Sequence, residues 1–412
     1  MRFIDRSRIL EWTRCPRSRW LGSHFNGHGI TSGTLRVPLV TGGSIHLGLE
    51  QLSKGATADV AAAAAVDNYR SQADAALRAA GTALDHFDYT VEEQASLTEA
   101  LVRVYALKGY PALTAEWEVL EVESEYEWDL APGLRMMSRL DGLLRRRSDG
   151  ELGVLSFKTD KGSYLEDKLP AGRIDLQGLT EPLAVLHSKW GIAPQWVKME
   201  WLIKGAWKEE VKGSGQHFQD SFLVRPWRNA ANGAIRWQRF WPCPGEPHEV
   251  MGANGKPWKC KGNVKQHGLG DGWERVPIWQ HMPIKEWIGL LAEEPGALEA
   301  CLFLPPAIPR SLAEMYSAQR IIASQELDID RRLANLAAHN GPEGPMLEAL
   351  DVNFPPTGKW NDQCHHSFGG LCQFITLCHS ADQGAALIQW KENGFVPRQP
   401  HHLPELEAIS HE

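Results

Sequence analysis

The stretch Arg139-Leu-Asp-Gly-Leu-Leu-Arg-Arg-Arg-Ser-Asp-Gly-Glu-Leu-Gly-Val-Leu-Ser-Phe-Lys158 predicts a β-hairpin. Two runs of β-compatible residues flank Asp149-Gly150, a dipeptide suited to the positive φ angles of a two-residue type I′ turn. Pairing outward from this turn places Asp141 opposite Lys158. In an arbitrary hairpin such a pair is a salt bridge, whereas in the right context it indicates metal-dependent chemistry.

The same pairing sorts the hairpin into two faces, because successive side chains of a strand point in opposite directions. One face carries residues that can be buried, and the other carries polar groups. The first set is Gly142, Leu144, Leu155 and Phe157, and the second set is Asp141, Ser156 and Lys158.

Composition favours an intracellular enzyme. The chain has 412 residues, 43% hydrophobic content and seven cysteines, an odd number that does not suit a secreted disulfide framework. Charged residues occupy the N-terminal positions where a signal peptide needs an apolar run, and no segment approaches the roughly 20 apolar residues of a membrane span. We therefore expect a soluble, cytoplasmic protein with no membrane partner.

Several short segments together resemble the PD-(D/E)XK nuclease superfamily, in its RecB-like branch. Leu-Asp141-Gly followed by a strand ending in Phe-Lys158-Thr resembles motifs II and III. Upstream, the segment that contains His46 resembles the Gly-x-x-His signature, and Val122-Glu123 resembles motif I. Gln177 resembles the glutamine that opens the motif IV helix.

This resemblance implies an α/β fold with a mixed central sheet flanked by helices, and with helical and irregular β insertions. It also implies exonuclease-like hydrolysis of DNA phosphodiester bonds, with single-stranded DNA or DNA ends as the substrate. Asp141, His46 and Glu123 would hold Mg²⁺ or Mn²⁺, Lys158 would position the attacking water, and Gln177 would orient water or phosphate. A protein partner in a repair, recombination or phage complex is a further expectation.

The chief departure from the family pattern is Ser156, which stands where the motif III acid is expected. A hydroxyl contributes no negative charge to a site for a hard cation. Three outcomes are open. A carboxylate arrives from elsewhere, or His46 and Asp141 hold a single ion through bridging waters, or the protein is a catalytically inactive nuclease fold that acts in DNA binding or complex assembly. The candidate carboxylates are Glu123, Asp160, Asp175 and Glu181.

The cysteines extend the resemblance to family members that carry an iron-sulfur cluster. The segment around Cys15-Pro16 resembles their N-terminal segment, and Cys372-x5-Cys378 matches the spacing of AddB-like and CRISPR-associated nucleases, although Cys364-x7-Cys372 is longer than usual. Four thiolates suit a 4Fe-4S cluster. One alternative is a zinc site, because three histidines lie close by in the sequence. The other alternative is that these cysteines bind no metal and are simply buried. Those histidines are His365, His366 and His379.

Net charge is −8, so any DNA contact must be local and does not come from bulk positive charge. Three basic groups could contact phosphates, and in each the alternative is a solvated surface. The groups are Arg14, Arg17 and Arg19; Arg145 to Arg147; and Lys256, Lys259, Lys261 and Lys265.

Hydrophobic periodicity and residue propensities, taken with what the resemblance implies, divide the chain into five segments. These are an N-terminal segment with the first cysteine (1–42), a helical region (43–115), the nuclease core (116–225), an irregular Trp-rich β insertion (226–283) and a helical C-terminal region with the other cysteines (284–412). Helices are predicted at Ser7–Leu21, Gly43–Lys54, Ala56–Ala80, Val91–Leu107, Asp175–Trp190, Ile284–Glu293 and Ile308–His339. Strands are predicted from Trp117 and at Gln195–Lys204 and His217–Val224.

Overall fold

The computed structural model describes residues 2–33, 37–80, 88–160, 168–204, 283–292, 298–341, 344–345, 347–357, 364 and 372–398, together with short strands between 209 and 275. The α-helices are α1 Arg6–Arg14, α2 Pro16–Ser23, α3 Val37–Ser53, α4 Ala58–Ala80, α5 Asp88–Val104, α6 Tyr110–Glu116, α7 Lys168–Ile174, α8 Gln177–Leu186, α9 Ile284–Leu291, α10 Leu312–Ala337, α11 Leu347–Asn353, α12 Ile375–Cys378 and α13 Gln383–Ile388.

The strands are β1 Arg2–Ile4, β2 Ile30–Ser32, β3 Trp117–Ala131, β4 Leu134–Arg146, β5 Leu152–Asp160, β6 Trp196–Ile203, β7 Glu209–Glu210, β8 His217–Phe218, β9 Arg225–Asn229, β10 Ile235–Gln238, β11 His248–Met251, β12 Pro257–Cys260, β13 Trp273–Arg275, β14 Leu302–Phe303, β15 Ile308–Pro309, β16 Asn340–Gly341, β17 Gly344–Pro345 and β18 Phe395–Pro397.

A seven-stranded sheet of β1, β3, β4, β5, β6, β14 and β15 forms the centre of the protein. β5 and β6 run parallel, as do β1 and β4, while the β3–β4 and β4–β5 pairs are antiparallel. Helices cover both faces. One face packs against α3, α4 and α5, and the other against α8 and α10. The predicted mixed α/β fold, with a mixed central sheet flanked by helices, is confirmed.

One edge of β4 changes partner in the middle of the strand. β3 pairs along the other edge of β4, from Trp117 to Ala131. On the changing edge, β5 pairs with Gly142–Arg145 and β1 pairs with Leu134–Met136. Residues 137–141 lie between these two pairings. β4 and β5 therefore diverge at Asp141, and this fork opens space in the sheet for a side chain.

The hairpin register differs by two residues from the predicted one. Gly142 pairs with Leu155, not with Phe157. Extended by one step, this pairing brings Asp141 level with Ser156 and not with Lys158. A shift of two residues preserves the two faces of a strand, so the predicted division into an apolar and a polar set still holds.

The turn that connects β4 and β5 explains this shift. Four residues, 147–150, form the connection, because the backbone N–H of Arg146 donates to the carbonyl of Glu151 at 2.8 Å. A type I′ turn needs positive φ at both central residues. In this turn Gly150 has a φ of +77°, and Asp149 is not among the residues with positive φ.

The predicted N-terminal helix is two helices, α1 and α2, which are separated at Cys15. Cys15 has an extended backbone (φ −162°, ψ 115°) because the residue before a proline avoids the helical region, and Pro16 follows. The other predicted helices are present with shifted ends, and the strand predicted at Gln195–Lys204 is β6. α8 continues through Pro182.

The two ends of the described chain share one hydrophobic cluster. Trp20 and Ile30 pack with Phe354, Phe374 and other residues of the C-terminal region. β2 also pairs with β18. The N-terminal segment is therefore joined to the C-terminal region by packing and by strand pairing.

The five-segment division of the sequence stays a prediction. Within 226–283, β9, β10 and β13 form a small sheet, and β11 pairs with β12. Of the strand predicted at His217–Val224, residues 219–224 lie outside the described residues. Within the part of the chain that the structure describes, no helix is both long and apolar enough to cross a bilayer.

Helix α3 is held close to α4 and α5 by Gly48. A Cβ at this position would lie 2.6 Å from Cγ2 of Val102 and 3.0 Å from Cβ of Ala65. We expect Gly48→Ala to lower the free energy of unfolding by about 1–3 kcal/mol through overpacking. Gly43 is the matched control, because nothing lies within 4 Å of its added Cβ. Gly43→Ala should raise stability by about 0.5–1 kcal/mol. Equal effects in urea unfolding would contradict this packing.

Candidate metal centre

Three predicted ligands converge beside the fork of β4 and β5. His46 comes from α3, Glu123 from β3 and Asp141 from β4. One ligand atom from each lies within 4.8 Å of the other two. In the described part of the chain, no other group of three His, Cys, Asp or Glu residues is this compact. Two carboxylates and one imidazole are a donor set suited to a divalent cation.

Asp141 is fixed by contacts on both of its oxygens. Oδ2 accepts the backbone N–H of Phe157 at 2.6 Å, across the fork. Oδ1 lies 3.4 Å from Nδ1 of His46. Burial raises the pKa of the Asp141 carboxyl, but His46, Lys158 and the Phe157 N–H together lower it below its ordinary value. Asp141 is therefore held as a carboxylate, the form that binds cations.

Phe157 is in turn held by aromatic packing. The rings of Tyr105 and His46 both meet it edge-on, with centroids at 5.3 and 6.1 Å. Tyr105 lies in a π-helical turn that follows α5, and its hydroxyl donates to Glu200 at 2.5 Å. Because edge-on aromatic pairs restrict ring motion, this packing fixes the backbone N–H that holds Asp141.

Glu123 has an unusual backbone for a residue inside a strand. Its φ is +50°, a left-handed conformation that costs a non-glycine residue roughly 1–2 kcal/mol. The pairs on either side, Val122 with Gly142 and Ser124 with Leu140, set Glu123 opposite Asp141. Burial and the charge of Asp141 raise the pKa of Glu123 to about 7. The left-handed backbone of Glu123 therefore accompanies the close approach of two carboxylates that repel each other.

Lys158, on β5, is held by two side-chain hydrogen bonds next to the ligand group. Its Nζ donates to the hydroxyl of Ser156 at 2.7 Å and to Oε1 of Gln177. Burial lowers the pKa of Lys158, while Asp141 and Glu181 act in the opposite direction. Since Lys158 can only donate, the amide of Gln177 must present its oxygen to it. Ser156 therefore helps to orient the Lys158 ammonium group.

Of the four candidate carboxylates that the sequence offered, only Glu123 lies in the compact ligand group. Asp160 forms an ion pair with Lys168 at 2.7 Å. Asp175 pairs with Arg6 at 2.9 Å and accepts the backbone N–H of Gln177 at 3.0 Å, so it anchors the start of α8.

Glu181 is buried near the same site but lies outside the compact ligand group. Nε2 of Gln177 donates to its Oε1, and its buried Oε2 has no hydrogen-bond partner. Burial, followed by the charge of Asp141, raises the pKa of Glu181 to about 8. Neutral Glu181 still accepts from Gln177, so it fixes the amide orientation that Lys158 requires.

The four predicted cluster cysteines also come together. Cys15 lies between α1 and α2, and Cys378 ends α12. The backbone N–H of Cys372 donates to the carbonyl of Cys364 at 2.8 Å. Burial raises the pKa of Cys378 to about 12; Arg17 lowers it, while Cys372, Cys15 and Cys364 raise it further. The four thiols are therefore close enough to interact electrostatically.

The 4Fe-4S cluster stays a prediction, as does zinc as its alternative. Of the histidines for a zinc site, His365 and His366 lie outside the described residues, and His379 is exposed.

Two of the arginines predicted to face phosphate are buried, so that prediction is wrong for them. Arg17 is 2% exposed and donates to Asp351 and to the carbonyl of Phe354, while Arg19 is 0% exposed and pairs with Glu326. Buried guanidinium groups need such partners.

The remaining basic residues that were predicted to contact phosphate are exposed, paired with other side chains, or outside the described residues. Arg146 lies over the ring of Trp196 at 4.3 Å, and Arg145 pairs with Glu118 at 3.3 Å. Arg14 is exposed. Lys259 lies in β12, while Lys256, Lys261 and Lys265 lie outside the described residues.

The sequence-based interpretation assigned no role to Arg139, although the structure places it at the site. Its Nε lies 3.0 Å from Oε2 of Glu123. The sequence could have indicated this placement, because Arg139 lies two residues before Asp141 and the alternation of a strand puts both side chains on one face.

Comparison with known protein families and with curated proteins gives no match. Membership of the nuclease superfamily therefore stays a prediction that depends on the motifs and on the site geometry.

The strained backbone of Glu123 leads to a prediction. We expect Glu123→Gly to raise the free energy of unfolding by about 1 kcal/mol, because glycine accepts positive φ without cost. The same change should weaken Mn²⁺ binding by at least about tenfold, since it removes one of two anionic ligands.

Glu125→Gly is the matched control on the same strand, since Glu125 is not among the residues with positive φ. It should lower stability by about 0.5–1 kcal/mol and leave Mn²⁺ affinity unchanged. Thermal unfolding and isothermal calorimetry measure both effects. Equal destabilisation by the two substitutions would refute functional strain at Glu123.

Proposed function

We propose that this protein is a metal-dependent deoxyribonuclease with the PD-(D/E)XK fold of the RecB-like branch. The observation that carries the proposal is the convergence of His46, Glu123 and Asp141 at a fork in the central sheet, with Lys158 on the adjoining strand. These are the residue types that hydrolysis of a phosphodiester needs: anionic ligands for a divalent cation and a cationic group beside them.

The residues present fit Mg²⁺ or Mn²⁺. Glu123 and Asp141 provide two negative charges, and burial together with the charge of Asp141 raises the pKa of Glu123. A divalent cation relieves the repulsion between these two charges, and His46 offers a third donor. When bound, the ion supplies Lewis-acid polarisation of a phosphoryl oxygen and lowers the pKa of a bound water.

The protein's own groups contribute positioning and charge. The Lys158 ammonium, held by Ser156 and Gln177, offsets the negative charge that develops on the pentavalent phosphorane. Gln177 is locked by Glu181, so its carbonyl oxygen stays directed toward Lys158. Through Asp175, Arg6 keeps the start of α8 in place. Lys158 therefore remains aimed at the position of the reacting phosphate.

We further propose that Cys15, Cys364, Cys372 and Cys378 bind a 4Fe-4S cluster that acts as a structural clamp. The shared cluster of Trp20, Phe354 and Phe374 shows that the chain ends already pack together. Four thiolates joined through iron would fix Cys15, and with it the C-terminal end of α1. Arg6 begins this helix and contacts Asp175 at the catalytic side.

Cleavage of end-labelled DNA tests the proposal. Wild-type protein should degrade single-stranded or duplex ends with Mn²⁺, and Asp141→Asn and Lys158→Met should each lower the rate by about 10²-fold or more. Arg135→Gln is the control, because Arg135 pairs with Glu127 at 3.2 Å and takes no part in the metal centre. It should retain full activity.

Equal background cleavage by wild type and both variants would refute the nuclease proposal. If DNA binding persisted in that case, the alternative would gain support: an inactive nuclease fold acting in DNA binding or complex assembly. Ser156 is the feature that favours this alternative.

The cluster proposal has its own test. Protein purified without oxygen should contain about four irons per chain and absorb near 400 nm. Cys15→Ser should lose both signals and lower the melting temperature together with DNA binding. Cys301→Ala is the control, because Cys301 packs in the core beside α3 and α5; it should retain iron. Zinc in place of iron, or iron loss without a change in stability, would contradict the clamp.

A further inference from the structure

Arg139 occupies the outer edge of the metal centre. It lies two residues before Asp141 on β4, and its Nε is 3.0 Å from Oε2 of Glu123. Its side chain is 57% exposed, whereas the side chains of Glu123 and Asp141 are 17% and 13% exposed. A cationic group therefore lies between the buried carboxylates and solvent.

The contact between Arg139 and Glu123 is one that a bound cation would weaken. Glu123 belongs to the compact ligand group, so an ion and Arg139 compete for the negative charge of the same carboxylate. Loading of the site leaves the guanidinium with a weaker partner. A guanidinium matches the non-bridging oxygens of a phosphate with two parallel N–H donors.

The direction of approach also suits a phosphate. A nucleic-acid strand reaches the ion from the solvent. Arg139 is the most exposed of the ion-paired side chains at this site, at 57% against 30% for His46, so it is the cationic group that such a strand meets first. The Arg139 guanidinium can leave Glu123 by side-chain rotation alone, since the backbone of Arg139 stays paired with β3.

We propose that Arg139 exchanges partners during the reaction: it pairs with Glu123 in the metal-free protein and binds a backbone phosphate of the DNA strand once the cation is bound. This inference rests on the proposed nuclease function and adds a substrate-binding residue to it. It assigns Arg139 a contact with the phosphate backbone, so its contribution is independent of base sequence.

The exchange predicts opposite effects on the two ligands. Without Arg139, Glu123 has no competing cation, so Mn²⁺ should bind about 2- to 5-fold more tightly. DNA should bind about 5- to 10-fold more weakly, with one phosphate contact fewer. A residue that only supports the fold at this position would weaken both ligands together.

The experiment measures binding in the full-length chain with Lys158→Met, a background that binds without cleavage. Isothermal calorimetry with Mn²⁺ alone gives the ion affinity. Fluorescence anisotropy of a labelled single-stranded oligonucleotide in the presence of Mn²⁺ gives the DNA affinity. Repeating it at salt concentrations from about 50 to about 300 mM gives the salt dependence of that affinity. The variants are Arg139→Gln, Arg139→Lys and Arg135→Gln.

Arg139→Gln should reduce the slope of log affinity against log salt by about 0.7, the value for one phosphate contact on a single strand. Arg139→Lys should keep the slope but bind more weakly than the parent, because an ammonium lacks the two-donor geometry. Arg135→Gln is the matched control: Arg135 is also a β4 arginine paired with a β3 glutamate, Glu127, at 3.2 Å, and the variant should match the parent in both assays.

Two results would overturn the exchange. One is an unchanged salt slope in Arg139→Gln, and the other is weaker Mn²⁺ binding in that variant. Absence of Mn²⁺ binding in the parent would instead overturn the proposed function itself. The calorimetric measurement therefore separates failure of this inference from failure of the nuclease assignment.

Discussion

The hydrogen bond from the Phe157 N–H to Oδ2 of Asp141 is the interaction on which the rest of the site depends. It replaces a strand-to-strand hydrogen bond at the point where β4 and β5 diverge, so a carboxylate occupies the place of a backbone carbonyl. Burial would raise the pKa of Asp141, but His46, Lys158 and this N–H together lower it, so a charged group persists beside an apolar core. Tyr105 and His46 pack on Phe157 and keep that N–H in place.

The charge balance of the centre suits a divalent ion, although Ser156 stands where the resemblance to the nuclease motifs predicts an acid. Glu123 brings the second negative charge from β3, on the side of Asp141 opposite β5. The position that the pattern reserves for an acid is left to the Ser156 hydroxyl, which orients Lys158. The strand carrying Glu123 adopts a strained left-handed backbone at this one residue. Such local strain is a feature of sites where geometry is imposed by function.

Much of the fold was predictable, because hydrophobic periodicity reports which faces are buried. The mixed α/β architecture, most helices and the two faces of the hairpin followed from the sequence. The register did not, since it depends on the conformation of Asp149 and adjacent residues, which the Asp-Gly dipeptide alone does not determine. The split at Cys15 had a signal in Pro16. The role of Glu123 as an opposing carboxylate and the contact of Arg139 needed coordinates, because they depend on a backbone angle that no sequence pattern predicts.

The centre is also tied to the chain ends. Arg6 at the start of α1 holds Asp175, while Cys15 at the end of the same helix lies with the other cysteines. One rigid helix therefore connects the two predicted metal sites. The most direct test of the account is anomalous diffraction from crystals soaked in Mn²⁺. The account predicts one strong peak at coordination distance from Asp141, Glu123 and His46. A peak elsewhere, or none in a soaked crystal with Asp141 still bound to the Phe157 N–H, would contradict it.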